Sequence, residues 1–142
     1  MAQVSTYLNF PGTTEAAFTF YKSVFGTEFA GPIVRFADMP MTPQPGQPEP
    51  SDADKRMVVN VGLPILAGHL LMGTDVMDTK QGNNVLITLH PDTRAEADAL
   101  FAALAAGGTV HYPLHDAEWG DYFGHLTDRF GTNWMVNCSA KS

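Results

Sequence analysis

The chain has 142 residues, 44% apolar and 16% charged, a composition that suits a globular domain and excludes disordered or fibrous chains. Eight Lys+Arg against 15 Asp+Glu give a net charge of −7, which argues against nucleic-acid or anionic-membrane partners, since either needs a basic face. No apolar run approaches the roughly 20 residues that span a bilayer, and MAQVSTYLNF does not read as a signal peptide. With Cys138 as the single cysteine, a reduced, cytoplasmic protein is expected.

The first strand is predicted at Ser5–Phe10. Thr13 and Thr14 then offer N-caps for a helix over Glu15–Phe25, with Phe18, Tyr21 and Phe25 as its apolar stripe and Gly26 as its stop. A strand follows at Ile33–Ala37. Asp38–Asp54 holds five of the ten prolines and reads as a loop. Strands come next at Arg56–Leu63, His69–Thr74 and Asn84–Leu89. Thr93 and Glu96 form a T-x-x-E capping box for a second helix, whose buried face is Ala97, Leu100, Phe101 and Leu104 and which Gly107-Gly108 ends. The last strands fall at Thr109–Leu114, Tyr122–Thr127 and Thr132–Cys138. Each half therefore reads strand, helix, strand, strand, strand, an α+β chain. Glu15 to Gly26 and Glu96 to Gly107 are both 11 residues, a hint of internal duplication.

Side chains alternate between the faces of a strand, so each strand splits in two. Leu8 and Phe10 oppose Ser5, Tyr7 and Asn9; Val85, Ile87 and Leu89 oppose Asn84, Leu86 and Thr88; Trp134, Val136 and Cys138 oppose Asn133, Met135 and Asn137. One face is apolar and suits packing under a helix. The other is neutral and hydrogen-bonding, a cup able to orient a small polar molecule. The expected substrate pocket is Tyr7, Asn84, Asn133, Met135 and Asn137, with Trp119 or Tyr122 of the WGDYFG motif at its rim.

YLNFPGTTEAAFTFYKSVFG at 7–26, LMGTD at 71–75 and WGDYFGHLTDRFGTNWMVN at 119–137 resemble the PhnB-like branch of the vicinal-oxygen-chelate superfamily, which includes glyoxalase, bleomycin-resistance and extradiol-dioxygenase proteins. The resemblance implies two βαβββ modules forming a cupped mixed β-sheet, the glyoxalase/bleomycin resistance/dioxygenase fold, commonly as a homodimer. On that basis residues 1–142 are one domain, with a module at 1–76, a short linker and a module at 83–138. Metal-dependent members place His or Glu ligands at positions matching approximately Ser5, Met72, Asn84 and Met135 here, and none of these four is His, Asp, Glu or Cys. Neither a metal nor another cofactor is therefore expected. The methyltransferase label common in this branch finds no G-x-G-x-x-G turn in the sequence.

His111 and His115 are four apart, but Pro113 between them forbids the helix that would place both on one face. His115, Asp116, Glu118, Asp121 and His125 form an acidic, His-bearing stretch that reads as a solvated turn or as an unusual metal or acid–base site. The expectation is a metal-independent protein that binds a small-molecule ligand, with no assigned reaction. The alternative is a metal-dependent lyase or isomerase of glyoxalase type that uses displaced ligands such as His125 and Glu118.

Overall fold

The computed structural model describes residues 2–39, 45–46 and 49–140. The chain divides into two compact units, Met1–Thr79 and Lys80–Ser142.

The first unit runs β1 (Thr6–Phe10), α1 (Thr14–Phe25), β2 (Val34–Arg35), α2 (Asp52–Arg56), β3 (Val58–Pro64) and β4 (Leu70–Asp75). Its sheet has the order β1-β4-β3-β2, with β1 parallel to β4 and the other pairs antiparallel. The second unit repeats this plan as β5 (Ile87–Leu89), α3 (Arg94–Ala105), β6 (Thr109–Asp116), β7 (Tyr122–Thr127) and β8 (Asn133–Cys138), in the order β5-β8-β7-β6. There β5 is parallel to β8 and the remaining pairs are antiparallel. Both units are thus the expected βαβββ modules, each with a four-stranded mixed sheet.

Helix α1 buries Thr14, Ala17, Phe18 and Tyr21. Phe18 meets Phe10 and Tyr21 edge-on at ring separations of 6.4 and 5.7 Å. The helix lies so close to β4 that a Cβ on Gly73 would stand 2.5 Å from Phe18 Cε1. Gly26 ends it in the left-handed conformation, as read from the sequence. The start differs from that reading, because the Thr13 side chain makes no capping bond. Asp75, at the end of β4, does that work instead. Its Oδ1 accepts from the Thr14 amide at 3.0 Å and its Oδ2 from the Val58 amide at 2.9 Å, tying helix and strand together.

Two other expectations are corrected. The strand predicted at Ile33–Ala37 keeps only Val34–Arg35, because the chain turns into a 3-10 helix at Phe36–Asp38. Asp38 turns it there by accepting from the Arg35 amide at 2.9 Å. The loop predicted over Asp38–Asp54 gives way at its end to α2, capped by Ser51, whose Oγ accepts from the Asp54 amide at 3.1 Å. The rest of that loop at 40–44 and 47–48 lies outside the described residues.

In the second unit Thr93 accepts from the Glu96 amide at 3.1 Å, and α3 buries Ala97, Leu100, Phe101 and Leu104, the face read from the sequence. Opposite them Trp134, Val136 and Cys138 of β8 are buried, as their parity predicts. Asp128 closes the β7–β8 turn. Its Oδ1 accepts from the Phe130 and Thr132 amides, and its Oδ2 from the Trp134 indole.

Candidate functional site

Because Gly124 and Leu126 of β7 face the helix, Phe123, His125 and Thr127 point the other way. They pair across β8 with Asn137, Met135 and Asn133 in turn. Three of the residues proposed from sequence, Asn133, Met135 and Asn137, therefore share one half-buried face.

Strand β6 adds to this face by an irregularity. Val110 pairs with Leu126 and Tyr112 with His125, so His111 is an extra residue, a β-bulge. Consecutive residues then both reach His125: the His111 ring lies 5.4 Å from it and the Tyr112 ring 4.8 Å, centroid to centroid. A second irregularity lies between Tyr112 and His115, around Pro113. Pro113 has no amide to give, and β6, an edge strand, asks for none on its open side.

A hydrogen-bond chain fixes the polar groups. Asn133 Nδ2 donates to the Gly82 and Val85 carbonyls at 2.7 and 3.3 Å, which turns its Oδ1 the other way. The Thr127 hydroxyl donates its one proton to that Oδ1 at 2.7 Å. His111 Nε2 stands 2.8 Å from the same hydroxyl and must therefore be the donor. In the neutral ring this leaves His111 Nδ1 as an acceptor. Burial, with a smaller contribution from nearby His111, pushes the His125 pKa below the ordinary histidine value. His125 Nδ1 is buried and has no hydrogen-bond partner among the described residues.

These groups line an open depression of about 760 Å³, floored by His111, Tyr112, His125, Thr127 and Asn133 and flanked by Leu86 and residues 81–83. Among the described residues that line it, none is Asp, Glu, Lys or Arg. The chemistry on offer is neutral hydrogen bonding and contact with aromatic rings.

Apart from Asn133, none of the residues proposed from sequence is among those that line the depression. Tyr7 belongs to the first unit, where it opposes Met72 on β1 and is 52% exposed. Asn84 is exposed in a bend before β5, because that strand begins only at Ile87 and not at Asn84 as predicted. Asn137 donates to Asp121 Oδ2 at 3.0 Å, and this bond is the main reason the Asp121 carboxyl titrates below the usual range. Trp119 is exposed and packs edge-on against Phe123 at 5.6 Å. Tyr122 takes the helix side: its hydroxyl donates to Asp98 Oδ1 at 2.5 Å and the Arg94 guanidinium covers its ring at 4.5 Å. The two motif aromatics thus face different ways, and only Trp119 joins the Phe123 side.

Sequence reasoning missed Tyr112 and Thr127 altogether and held His125 only as part of a solvated turn, or of an unusual metal or acid–base site. Carrying the two-residue period from β8 into β7 exposes His125 and Thr127. The bulge that brings in His111 and Tyr112 has one sequence signal, a proline inside a strand.

The positions that match the superfamily's metal ligands do not fit a divalent ion. Ser5 Oγ donates to Met72 Sδ at 3.8 Å, Asn84 stands off its strand, and Met135 offers a thioether. Among the described residues no three His, Cys, Asp or Glu side chains gather so as to hold a metal.

Residues 2–137 match the family model described as 3-demethylubiquinone-9 3-methyltransferase. Protein PA1353 of Pseudomonas aeruginosa is 34% identical, with a TM-score of 0.80 over 98% of both chains. The PhnB protein of Bacillus cereus is 24% identical, with a TM-score of 0.73 over 97% of this chain and 100% of that one. A glyoxalase/bleomycin resistance/dioxygenase family protein of Burkholderia phytofirmans, 19% identical with a TM-score of 0.60 over 94% and 96% of the two chains, shares the fold. The chain belongs to the family described as 3-demethylubiquinone-9 3-methyltransferase and has the fold of the PhnB and glyoxalase/bleomycin resistance/dioxygenase structures.

Proposed function

We propose that this protein binds a small molecule in the depression of its second unit and does so without a resident divalent ion. The observation that carries this reading is the chain His111–Thr127–Asn133. It orients three polar side chains at a concave surface before any ligand arrives, which lowers the ordering cost of binding. The family's descriptive name speaks of methyl transfer; the residues here supply recognition, and no reaction step is assigned to them. The same reading makes the protein cytoplasmic and a homodimer. Exposed Val110 and Tyr112 on edge strand β6 support the second copy. Among the described residues no helix is long and apolar enough to cross a membrane.

The test is a thermal-melt screen of a chemically diverse small-molecule library, run beside elemental mass spectrometry and melts with a chelator. Hits that stabilise the wild type and are lost in Thr127→Val support the proposal. A stoichiometric metal whose removal lowers the Tm would overturn its metal-free part. Analytical ultracentrifugation decides the dimer.

A further inference from the structure

Resting on the small-molecule reading above, we propose that the depression selects neutral, planar molecules that carry a hydrogen-bonding amide on an aromatic ring. Among the described residues the lining holds no Asp, Glu, Lys or Arg. A charged ligand entering it loses hydration and meets no counter-charge, so charge is selected against.

The second argument is the kind of atom left to satisfy. His111 Nε2–H is committed to Thr127, which leaves Nδ1 of the neutral ring facing no assigned donor. The His125 ring lies beside it at 5.4 Å, centroid to centroid, and burial favours the neutral form of that ring. A ligand N–H that pairs with Nδ1 of the exposed His111 side chain gains a hydrogen bond there. A primary amide suits this nitrogen, because it offers N–H donors without a charge.

The third argument is shape. His111 and Tyr112 tilt by 35° and 49° against His125. These rings offer faces and edges to a flat molecule at low cost in side-chain entropy.

The test is an amide-resolved NMR titration of the full chain with three matched probes: nicotinamide (neutral), nicotinate (anionic) and 3-picolylamine (cationic). Nicotinamide is expected to give saturable shifts at residues 111–112, 125–127 and 133, with the two charged probes at least tenfold weaker. His111→Phe keeps a ring and removes the acceptor nitrogen; it should weaken nicotinamide at least tenfold. Thr127→Val, which releases His111 from its fixed tautomer, should weaken it at least threefold. Nicotinate or 3-picolylamine binding equally well at these residues overturns the neutral class and leaves a small-molecule site standing. Absence of saturable nicotinamide shifts also overturns the class, and the library screen, which presumes no ligand type, then decides separately whether the site reading falls. A Zn²⁺ titration that saturates at His111 and His125 in equal proportion to protein would overturn both.

Discussion

The Trp134 indole N–H donates to Asp128 Oδ2 at 2.9 Å, and this bond joins the β7–β8 turn to the core beneath α3. Trp134 is fully buried and Asp128 is 3% exposed, so water does not replace the acceptor when it is removed. Asp128→Ala takes the same carboxyl from the Phe130 and Thr132 amides. It should cost at least about 2 kcal/mol in urea unfolding, with Asp128→Asn milder because it keeps one carbonyl acceptor. Equal stability of wild type and Asp128→Ala would show that the turn holds itself.

Asp75 does comparable work in the first unit by capping α1 and β3 at once. Asp75→Ala should lower stability by about 1–2 kcal/mol, and Asp75→Asn by less. Hydrogen exchange locates the effect: the Thr14 and Val58 amides should lose protection before the rest of the unit does. Uniform loss across the unit would rule out a local cap.

Gly73→Ala tests how tightly α1 lies on β4. The added Cβ would meet Phe18 at 2.5 Å and Thr14 Cγ2 at 3.2 Å, an overpacking expected to cost about 1–3 kcal/mol. In a Phe18→Leu background the same substitution should cost measurably less. An additive double-mutant cycle would show that the two positions do not meet.

His125 makes stability depend on pH. Its folded pKa lies below the ordinary value of about 6.5, so between the two values the unfolded chain binds more protons and stability rises with pH. The contribution is complete above about pH 6.5 and is lost as pH falls through the window beneath it. Glu15, lowered chiefly by its hydrogen bond with Arg35, and Asp121 act only in more acid solution, below about 4.5. Melts between pH 8 and 5 should therefore fall more steeply for the wild type than for His125→Phe; parallel curves would contradict the assignment.

What the sequence made legible was local. The buried face of α3, its Thr93 cap and the parity of β8 follow from spacing within a dozen residues, and each stands where periodicity puts it. What escaped depends on distant or irregular contacts. The α1 cap comes from Asp75, 61 residues from the amide it accepts from, and no local pattern contains it. The 3-10 turn after β2 and the short α2 were hidden by a proline-rich stretch that reads as loop, although Ser51 and Asp54 carry a capping-box pattern. Tyr122 reads like a rim aromatic beside Trp119; the two-residue period of β7, not carried through from the sequence, puts it with Gly124 and Leu126 on the helix side, where Asp98 and Arg94 of α3 hold it. His111 and Tyr112 reached the candidate site through a bulge, which breaks the two-residue period by which faces are assigned.

That bulge lies on a strand almost wholly exposed to solvent, while the carboxyl that anchors the second unit's core is on the turn beyond β7. On the proposed reading, recognition and folding therefore draw on different residues, and substitutions at positions 111 and 112 change what is bound with little penalty in stability. Deleting His111, the one residue between Val110 and Tyr112, would restore the plain register and leave only the Tyr112 ring beside His125. On that reading, strand length at one edge sets the ligand chemistry, while the interior of the unit stays fixed.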